Sequence, residues 1–475
     1  MDSIADQSKV AIVIVNWNKK EYLLNILNSL KHIDYNDYDF IVVDNASTDG
    51  SVDALRESFP EMNLIINEEN LGGAGGFNTG MRYALSENKY KYIWLLDNDA
   101  VVEPDTLSEL VSVMEEDDNV GIAGSMILNP DNKELIVEVG LHIDWHTGVV
   151  KPFMENYRLS DVNPGVYEVD YVAACSALIR VDSLKNTDLM DERYFIWWDD
   201  ADLGFSIRCG GKKAVGVTKS VVYHPTEKDW ILINYYNNRN SLLAFSKFTS
   251  FKNRASIFHR IASYSSKAIV FYYLTGNRYK AKILYCSLRD YLLNNWKKLS
   301  DDSVAALNNA GLKRTEEFSI AEKPSLLILP TGNFDKISSL IEMMKKRSPD
   351  SSITLMIQDY RKNLFENMAI DDFIIYNDKS VYIFFEHIRL FFKLLLKNFD
   401  IALTPNADSD SPFGYLAKRY YVYSDKDSTL EFKGTRRDLW KVIFATVTGE
   451  IAAIPLTLIL LMKSLQYNDG RKLPK

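Results

Sequence analysis

Asp97 and Asp99 stand two residues apart at the end of the apolar run Tyr92–Leu96, in the stretch YIWLLDNDA. Two carboxylates at a strand end cannot both enter a core, because burying them unpaired is costly. A divalent cation that bridges to phosphate oxygens resolves that cost. A solvated strand end with capping aspartates is the alternative. Further on, YFIWWDDADLGFSIRCGGKK sets Asp199 and Asp200 directly after Trp197 and Trp198, with Asp202 following. Carboxylates walled by indoles titrate high, as a general base requires. Helix capping or first-turn charge accounts equally well for Asp199 and Asp202, which leaves Asp200 as the candidate base. His224 follows the short apolar run in VVYHPTEKDW. It is either a structural histidine or a further ligand for a metal held by Asp97 and Asp99.

The stretch NLGGAGGF, residues 70–77, holds four glycines. A phosphate cradle, a hinge and a tight turn all use such runs. This one follows the strand-like NLIIN and opens a helix-like segment, so its backbone N–H groups can face an anion. Asn70, Gly72, Gly73 and Gly75 are therefore candidate donor contacts. The run is not a dinucleotide fingerprint, because it follows the third strand rather than the first.

The elements that must position these groups are legible. VAIVIV (10–15), FIVVDNAS, NLIIN and YIWLLDND read as buried strands, with KKEYLLNILNSL, residues 49–59 and NTGMRYALSEN as the helices between them. Strands alternating with helices predict a mostly parallel, doubly wound α/β sheet. Ligands of such sheets lie beyond the carboxyl ends of the strands. Three polar clusters fall there: Asn16-Trp17-Asn18, Asp44-Asn45 and Asp97-Asn98-Asp99. Trp230, Tyr235, Tyr236 and Arg239 are candidates for an acceptor or phosphate region, with an aromatic helix face packed on the core as the alternative for the tyrosines.

At 475 residues the chain exceeds one core. We expect a catalytic domain at 1–250, a helical section at 251–321, a smaller Rossmann-like α/β domain at 322–435 and a membrane-associated segment at 436–475. The third part repeats the strand signal in SLLILP, SSITLMIQ, DDFIIYN and FDIALTPNAD, and LPTGNF and TPNADSDSPFG resemble turns of nucleotide-binding halves. A binding or docking module is the expectation for it. Residues 442–462 are nearly long enough to span a bilayer, but Glu450 and Pro455 interrupt them, which favours an interfacial or re-entrant segment. Basic flanks would draw that segment to anionic lipid.

The chain is 47% apolar with a net charge of −9, which is globular and speaks against nucleic acid as the main partner. Its three cysteines, Cys175, Cys209 and Cys286, are scattered, as expected in a reducing cytoplasm. The opening MDSIADQSKV carries no secretory-signal pattern.

In order, VAIVIVNWN, VVDNASTDGS, NLGGAGGFNTGM, LLDNDA, WWDDADLG and a downstream histidine resemble the inverting GT-A glycosyltransferases of family 2. The likeness is greatest to bacterial galactofuranosyltransferases and rhamnosyltransferases of polysaccharide assembly, including O-antigen, and it covers roughly residues 8–250. NLGGAGGF and WDDAD favour the galactofuranosyl branch. The resemblance implies that Asn16 and Asp44 contact the nucleotide and that Asp97, Asp99 and His224 hold Mn²⁺ or Mg²⁺. It also implies that Asp200 is the base, and that Trp197, Trp198, Asp199 and Arg239 lie toward the acceptor. One departure is Asn16-Trp17-Asn18 where the family often has Pro-x-Tyr-Asn. The implied partners are a UDP- or dTDP-linked sugar, a lipid-linked glycan and the membrane surface. The implied location is the cytoplasmic face of a bacterial inner membrane, with a homo-oligomer or partner glycosyltransferases compatible with it. A rhamnosyltransferase using dTDP-rhamnose is the second expectation, and a non-catalytic GT-A scaffold is the third.

Overall fold

The structure is a computed structural model, which describes residues 9–185, 187–225, 232–299, 323–329, 334–376, 383–405, 412–424, 429–467 and 473. Trp230, parts of LPTGNF and TPNADSDSPFG, and all of 300–321 therefore lie outside the described residues. The chain divides into two compact units. The first comprises residues 1–262, 283–304 and 453–475, and the second 263–282 and 305–452.

In the first unit, β-branched and aliphatic runs form β1 (Val10–Asn16), β2 (Tyr38–Asp44), β3 (Asn63–Ile66) and β4 (Tyr92–Asp97). Amphipathic segments between them form α1 (Lys20–Leu30), α2 (Ser51–Ser58) and α3 (Gly72–Glu87). These four strands pair in parallel in the order β4-β1-β2-β3. Nearly uninterrupted apolar runs suit a sheet covered on both faces, and Val10–Ile14 and Tyr92–Leu96 are completely buried.

The sheet then departs from the mostly parallel pattern expected. After β5 (Val101–Val102) and α4 (Thr106–Glu116) come β6 (Val120–Leu128), β7 (Ile136–Glu138), the separate hairpin β8 (Leu141–Asp144) and β9 (Val149–Pro152), and β10 (Val166–Val169). Then follow β11 (Ser176–Arg180), α5 (Asp199–Cys209) and β12 (Lys213–Tyr223). β11 inserts antiparallel between β4 and β6, so the main path β10-β12-β6-β11-β4-β1-β2-β3 is mixed. Two helices follow β12: α6 (Asn238–Phe248) and α7 (Phe251–Leu274). α8 (Arg278–Leu292) completes the helical section.

The second unit carries a six-stranded sheet. Its elements are β13 (Ser325–Ile328), α9 (Phe334–Arg347), β14 (Ser352–Gln358), β15 (Asp372–Tyr376), α10 (Ile383–Lys397), β16 (Ile401–Thr404), β17 (Arg419–Ser424) and β18 (Thr429–Thr435). The order is β15-β14-β13-β16-β17-β18, parallel except for the last pair. This is the doubly wound α/β layout expected for the region.

α11 (Leu439–Ser464) runs unbroken through Pro455. It is not a detached tail: its residues up to Ala452 belong to the second unit and those from Ala453 to the first. Among the described residues, the helical stretch Arg436–Tyr467 is the one helix long and apolar enough to cross a membrane.

Candidate functional site

Strand register brings the polar clusters together. Asn16 at the end of β1 lies opposite Asp44 at the end of β2, and Val15 lies opposite Asp97 at the end of β4. Asn16 Nδ2 donates to an Asp44 carboxylate oxygen at 3.0 Å, while Asn16 Oδ1 accepts from Asn98 Nδ2 at 2.7 Å. The other Asp44 oxygen accepts from the Ser47 N–H at 2.7 Å. Asp44 is completely buried. Expected to contact a nucleotide, it instead spends its carboxylate on pinning the loop after β2 against β1. Ser47 and Asn45 are part of this scaffold: Asn45 Nδ2 donates to the Gly72 carbonyl at 2.9 Å. Sequence reasoning did not single out either role, since both depend on cross-strand register.

His224 reaches the acidic pair through β5, whose two residues pair with Val222 and Tyr223 of β12. His224 Nε2 lies 3.1 Å from Asp99 and 3.5 Å from Asp97. Ligand atoms of all three residues fall within 4.8 Å of one another. Burial opposes the imidazolium, yet hydrogen bonds to Asp97 and Asp99 and their charges outweigh it and push His224 up to about 10. For Asp99, burial is likewise outweighed by His224 and Lys19, which lower its pKa. Proton and metal compete for this cluster. Two carboxylates and an imidazole fit a divalent cation. Lys19 Nζ, 3.8 Å from Asp99, is a cation the sequence reading passed over. Its signal was the Lys19-Lys20 pair just after the first strand.

Asp199 and Asp200 open α5, directly after positive φ values at Phe195, Trp197 and Trp198 (65°, 70° and 74°). Three non-glycine residues so close together at positive φ need outside support. Asn240 supplies it, its Nδ2 donating to the carbonyls of Tyr194, Ile196 and Trp197 at 2.9, 2.9 and 2.8 Å. Arg239, expected near the acceptor, is completely buried instead. Its guanidinium donates to the carbonyls of Arg193 and Tyr194 at 3.2 Å and lies over the Tyr235, Tyr236 and Trp296 rings. The NNRN run thus positions the Trp197-Trp198 loop. Tyr235 and Tyr236 are buried, as an aromatic helix face packed on the core requires. Trp198 is buried too, its indole N–H donating to Asn237 at 2.6 Å, whereas Trp197 is half-buried.

Burial pushes Asp200 up to about 6, against hydrogen bonds from the backbone at Ala201 and Ala174, with the Asp97 charge adding to the rise. Asp199 is buried and raised further, by burial first and the Asp200 charge second. Asp202 serves packing: it is buried and accepts from Tyr194 at 2.8 Å and Lys247 at 2.5 Å.

The glycine run begins α3 rather than preceding it. Asn70 caps the turn by accepting from the Gly72 N–H at 2.8 Å. A Cβ at Gly72 would lie 2.1 Å from the Phe195 carbonyl oxygen, and one at Gly75 2.5 Å from Leu71 Cβ. At Gly76 it would lie 2.5 Å from Val15 Cγ1. Close packing accounts for glycine at those three positions, joined at Gly72 by a left-handed φ of 73°. Gly73 differs: its Cβ would meet the Asp199 carboxylate at 3.0 Å, which places it beside the acidic site.

Residues 11–187 match the family described as Glycosyl transferase family 2. An uncharacterized glycosyltransferase of Nostoc sp. is 31% identical over 27% of this chain and 39% of its own length. An N-acetylglucosaminyl-diphospho-decaprenol L-rhamnosyltransferase of Mycobacterium tuberculosis is 24% identical over 45% of this chain and 75% of its own. The chain thus spans well under half of the first relative. A solved structure, GalNAc-T7 with UDP, GalNAc and Mn²⁺, aligns at 16% identity and a TM-score of 0.45, over 54% of this chain and 51% of that one. The stretch that resembles glycosyl transferase family 2, residues 11–187, is the part of the α/β domain that carries Asp97 and Asp99 at the end of β4.

Proposed function

We propose that the first unit is an inverting, metal-dependent glycosyltransferase that moves a hexose from a nucleoside-diphosphate donor to a hydroxyl of a lipid-linked glycan. The observation that carries this is the convergence of Asp97, Asp99 and His224 with a base candidate, Asp200, that feels the Asp97 charge. A divalent ion held by Asp97, Asp99 and His224 would neutralise the diphosphate leaving group. An imidazole among the ligands favours Mn²⁺ over Mg²⁺, which prefers oxygen donors.

The chain's own residues supply the remainder. Asn16, Asp44 and Asn70 shape the loops at the strand ends, and the start of α3 borders the donor at Gly73. Lys19 offers a second cation for the phosphates. Asp200 takes the proton from the acceptor hydroxyl as that oxygen bonds to the anomeric carbon and the bond to the diphosphate breaks on the opposite face. One displacement inverts the centre. The acceptor lies toward Trp197 and Asp199.

The forms NLGGAGGF and WDDAD support UDP-galactofuranose as donor. A second reading, dTDP-rhamnose, is favoured by the relative whose name gives a rhamnosyltransferase acting on a decaprenol-linked sugar. A lipid-linked acceptor would place the enzyme at the cytoplasmic face of a bacterial inner membrane, in polysaccharide assembly. Incubating the full chain and Mn²⁺ with each donor and a polyprenyl-diphosphate-linked acceptor separates the readings, with the anomeric configuration of the product read by NMR. Transfer with retention, or none from either donor, would overturn the proposal.

A further inference from the structure

α11 is inside out for a soluble protein. Its exposed side chains are the large apolar ones: Trp440, Phe444, Val447, Ile451, Ile454 and Leu458 lie along one face, at 50–67% exposure. Its polar groups point inward. In the second unit Glu450 accepts from Ser263 at 2.9 Å and pairs with Lys267. In the first unit Thr457 meets His259 at 3.2 Å and Ser464 accepts from Arg254 at 3.2 Å. Only 28% of its most apolar 18-residue window is buried, so it is not a core helix.

We propose that α11 is an in-plane membrane contact, seated by its outward apolar face in the interfacial region of an anionic bilayer and not spanning it. Three observations select this occupant. First, charge: residues 250–299, which include α7 and α8, hold ten Lys and Arg against a single acid, Asp290, in a chain of net −9. Asp290 is itself buried. Five of the ten, Lys252, Arg260, Arg278, Lys282 and Lys297, are exposed, and exposed cations complement anionic lipid headgroups. Second, α7 carries Arg254, His259, Arg260 and Lys267 on or beside the groups that hold α11. A spanning α11 would draw these cations and Glu450 into hydrocarbon, which is expensive. Third, the apolar face is wide: Ile443, Ile459 and Met462 extend it beyond the narrow seam of a helix pair. Thr448, Pro455 and Met462 flank that seam without charge, and the charges that do flank it, Lys441 and Glu450, are paired within the chain with Asp438 and Lys267.

The purpose of such a contact rests on the proposed lipid-linked acceptor: a helix lying in the interface concentrates the enzyme beside a substrate confined to the same surface.

The test uses the full chain and vesicles of phosphatidylglycerol and phosphatidylcholine. We expect the wild type to float with the anionic vesicles and less so with pure phosphatidylcholine. Phe444→Glu/Ile451→Glu, both on the exposed face, should keep the circular dichroism spectrum and Tm while lowering vesicle partition by about 100-fold, roughly tenfold for each charge set against the interface. Transfer to a short water-soluble acceptor should be unchanged in the variant, and transfer to a vesicle-bound acceptor should fall. Equal partition of variant and wild type would overturn the proposal. So would a wild type that ignores vesicles but forms a dimer that the variant loses, which would make the face a protein interface. Resistance to alkaline carbonate extraction would overturn it in favour of a span. Loss of both water-soluble and vesicle-bound transfer in the wild type would instead count against the glycosyltransferase reading.

Discussion

Replacing Asp200 by asparagine should silence the enzyme and stabilise it, with the stabilisation appearing only as pH rises. The folded carboxyl titrates at about 6 against an ordinary 3.8. Below about pH 4 both folded and unfolded forms hold the proton, so the group is neutral for stability. Between about 4 and 6 the unfolded chain gives up its proton first, and stability falls. Above about 6 the full penalty applies. A shift of about two units corresponds to about 3 kcal/mol at 1.36 kcal/mol per unit. Asp200 is half-buried, and water reaching it makes that an upper bound. Asparagine loses one acceptor for the two backbone N–H groups, at about 1 kcal/mol. The net expectation is about 1–2 kcal/mol of stabilisation at pH 8, or about 2–8 °C in Tm, and about 1 kcal/mol of destabilisation at pH 4. Calorimetry in EDTA at the two pH values measures it. Turnover should fall by about 10²–10⁴ with donor affinity kept, and the wild-type rate should rise through about pH 6. An Asn variant that is destabilised equally at both pH values would make Asp200 a structural hydrogen-bond acceptor and refute the reasoning. Near-normal turnover would do the same.

Metal titration of the apo protein at pH 7.5 should release about one proton per ion, because His224 must give up the proton that Asp97 and Asp99 hold on it; calorimetry in buffers of different ionisation enthalpy reads this, and His224→Ala should abolish it. Gly72→Ala should lower Tm by several degrees, since its Cβ has no space under the Phe195 carbonyl. Gly73→Ala should leave Tm within a few degrees and weaken donor binding in titration calorimetry; the reverse ranking would return the glycine run to packing alone. Asn240→Ala should cost about 2–3 kcal/mol and cut turnover, because the Ile196 and Trp197 carbonyls of the left-handed loop lose their donor while Tyr194 keeps that of Arg239; unchanged Tm would show that the loop holds itself.

The alternation of buried strands and amphipathic helices in the first hundred residues was readable because each strand is a continuous apolar run ending in a polar cluster. For the same reason the sequence marked Asp97 and Asp99 as metal-ligand candidates, and the two indoles before it marked Asp200 as a candidate base. The second α/β unit was legible by the same signal. What the sequence did not determine depends on register and on approach between distant segments. Whether Asp44 faces a ligand or a neighbouring strand is decided by Asn16 standing opposite it. His224, which the sequence left between a structural histidine and a ligand, is brought beside Asp97 and Asp99 because a two-residue strand, β5, pairs with the end of β12. Arg239 and a solvent-facing arginine have the same local text; the Arg193 and Tyr194 carbonyls and three aromatic rings, brought in by tertiary packing, made it a positioning residue. Gly72, Gly75 and Gly76 look alike with Gly73 in the sequence, and only the atoms facing each one separate close packing from access to the site. The 442–462 segment showed its hydrophobicity in one dimension, but which of its faces turns outward was set by α7, whose cations claim the polar side and leave the apolar side to the surroundings.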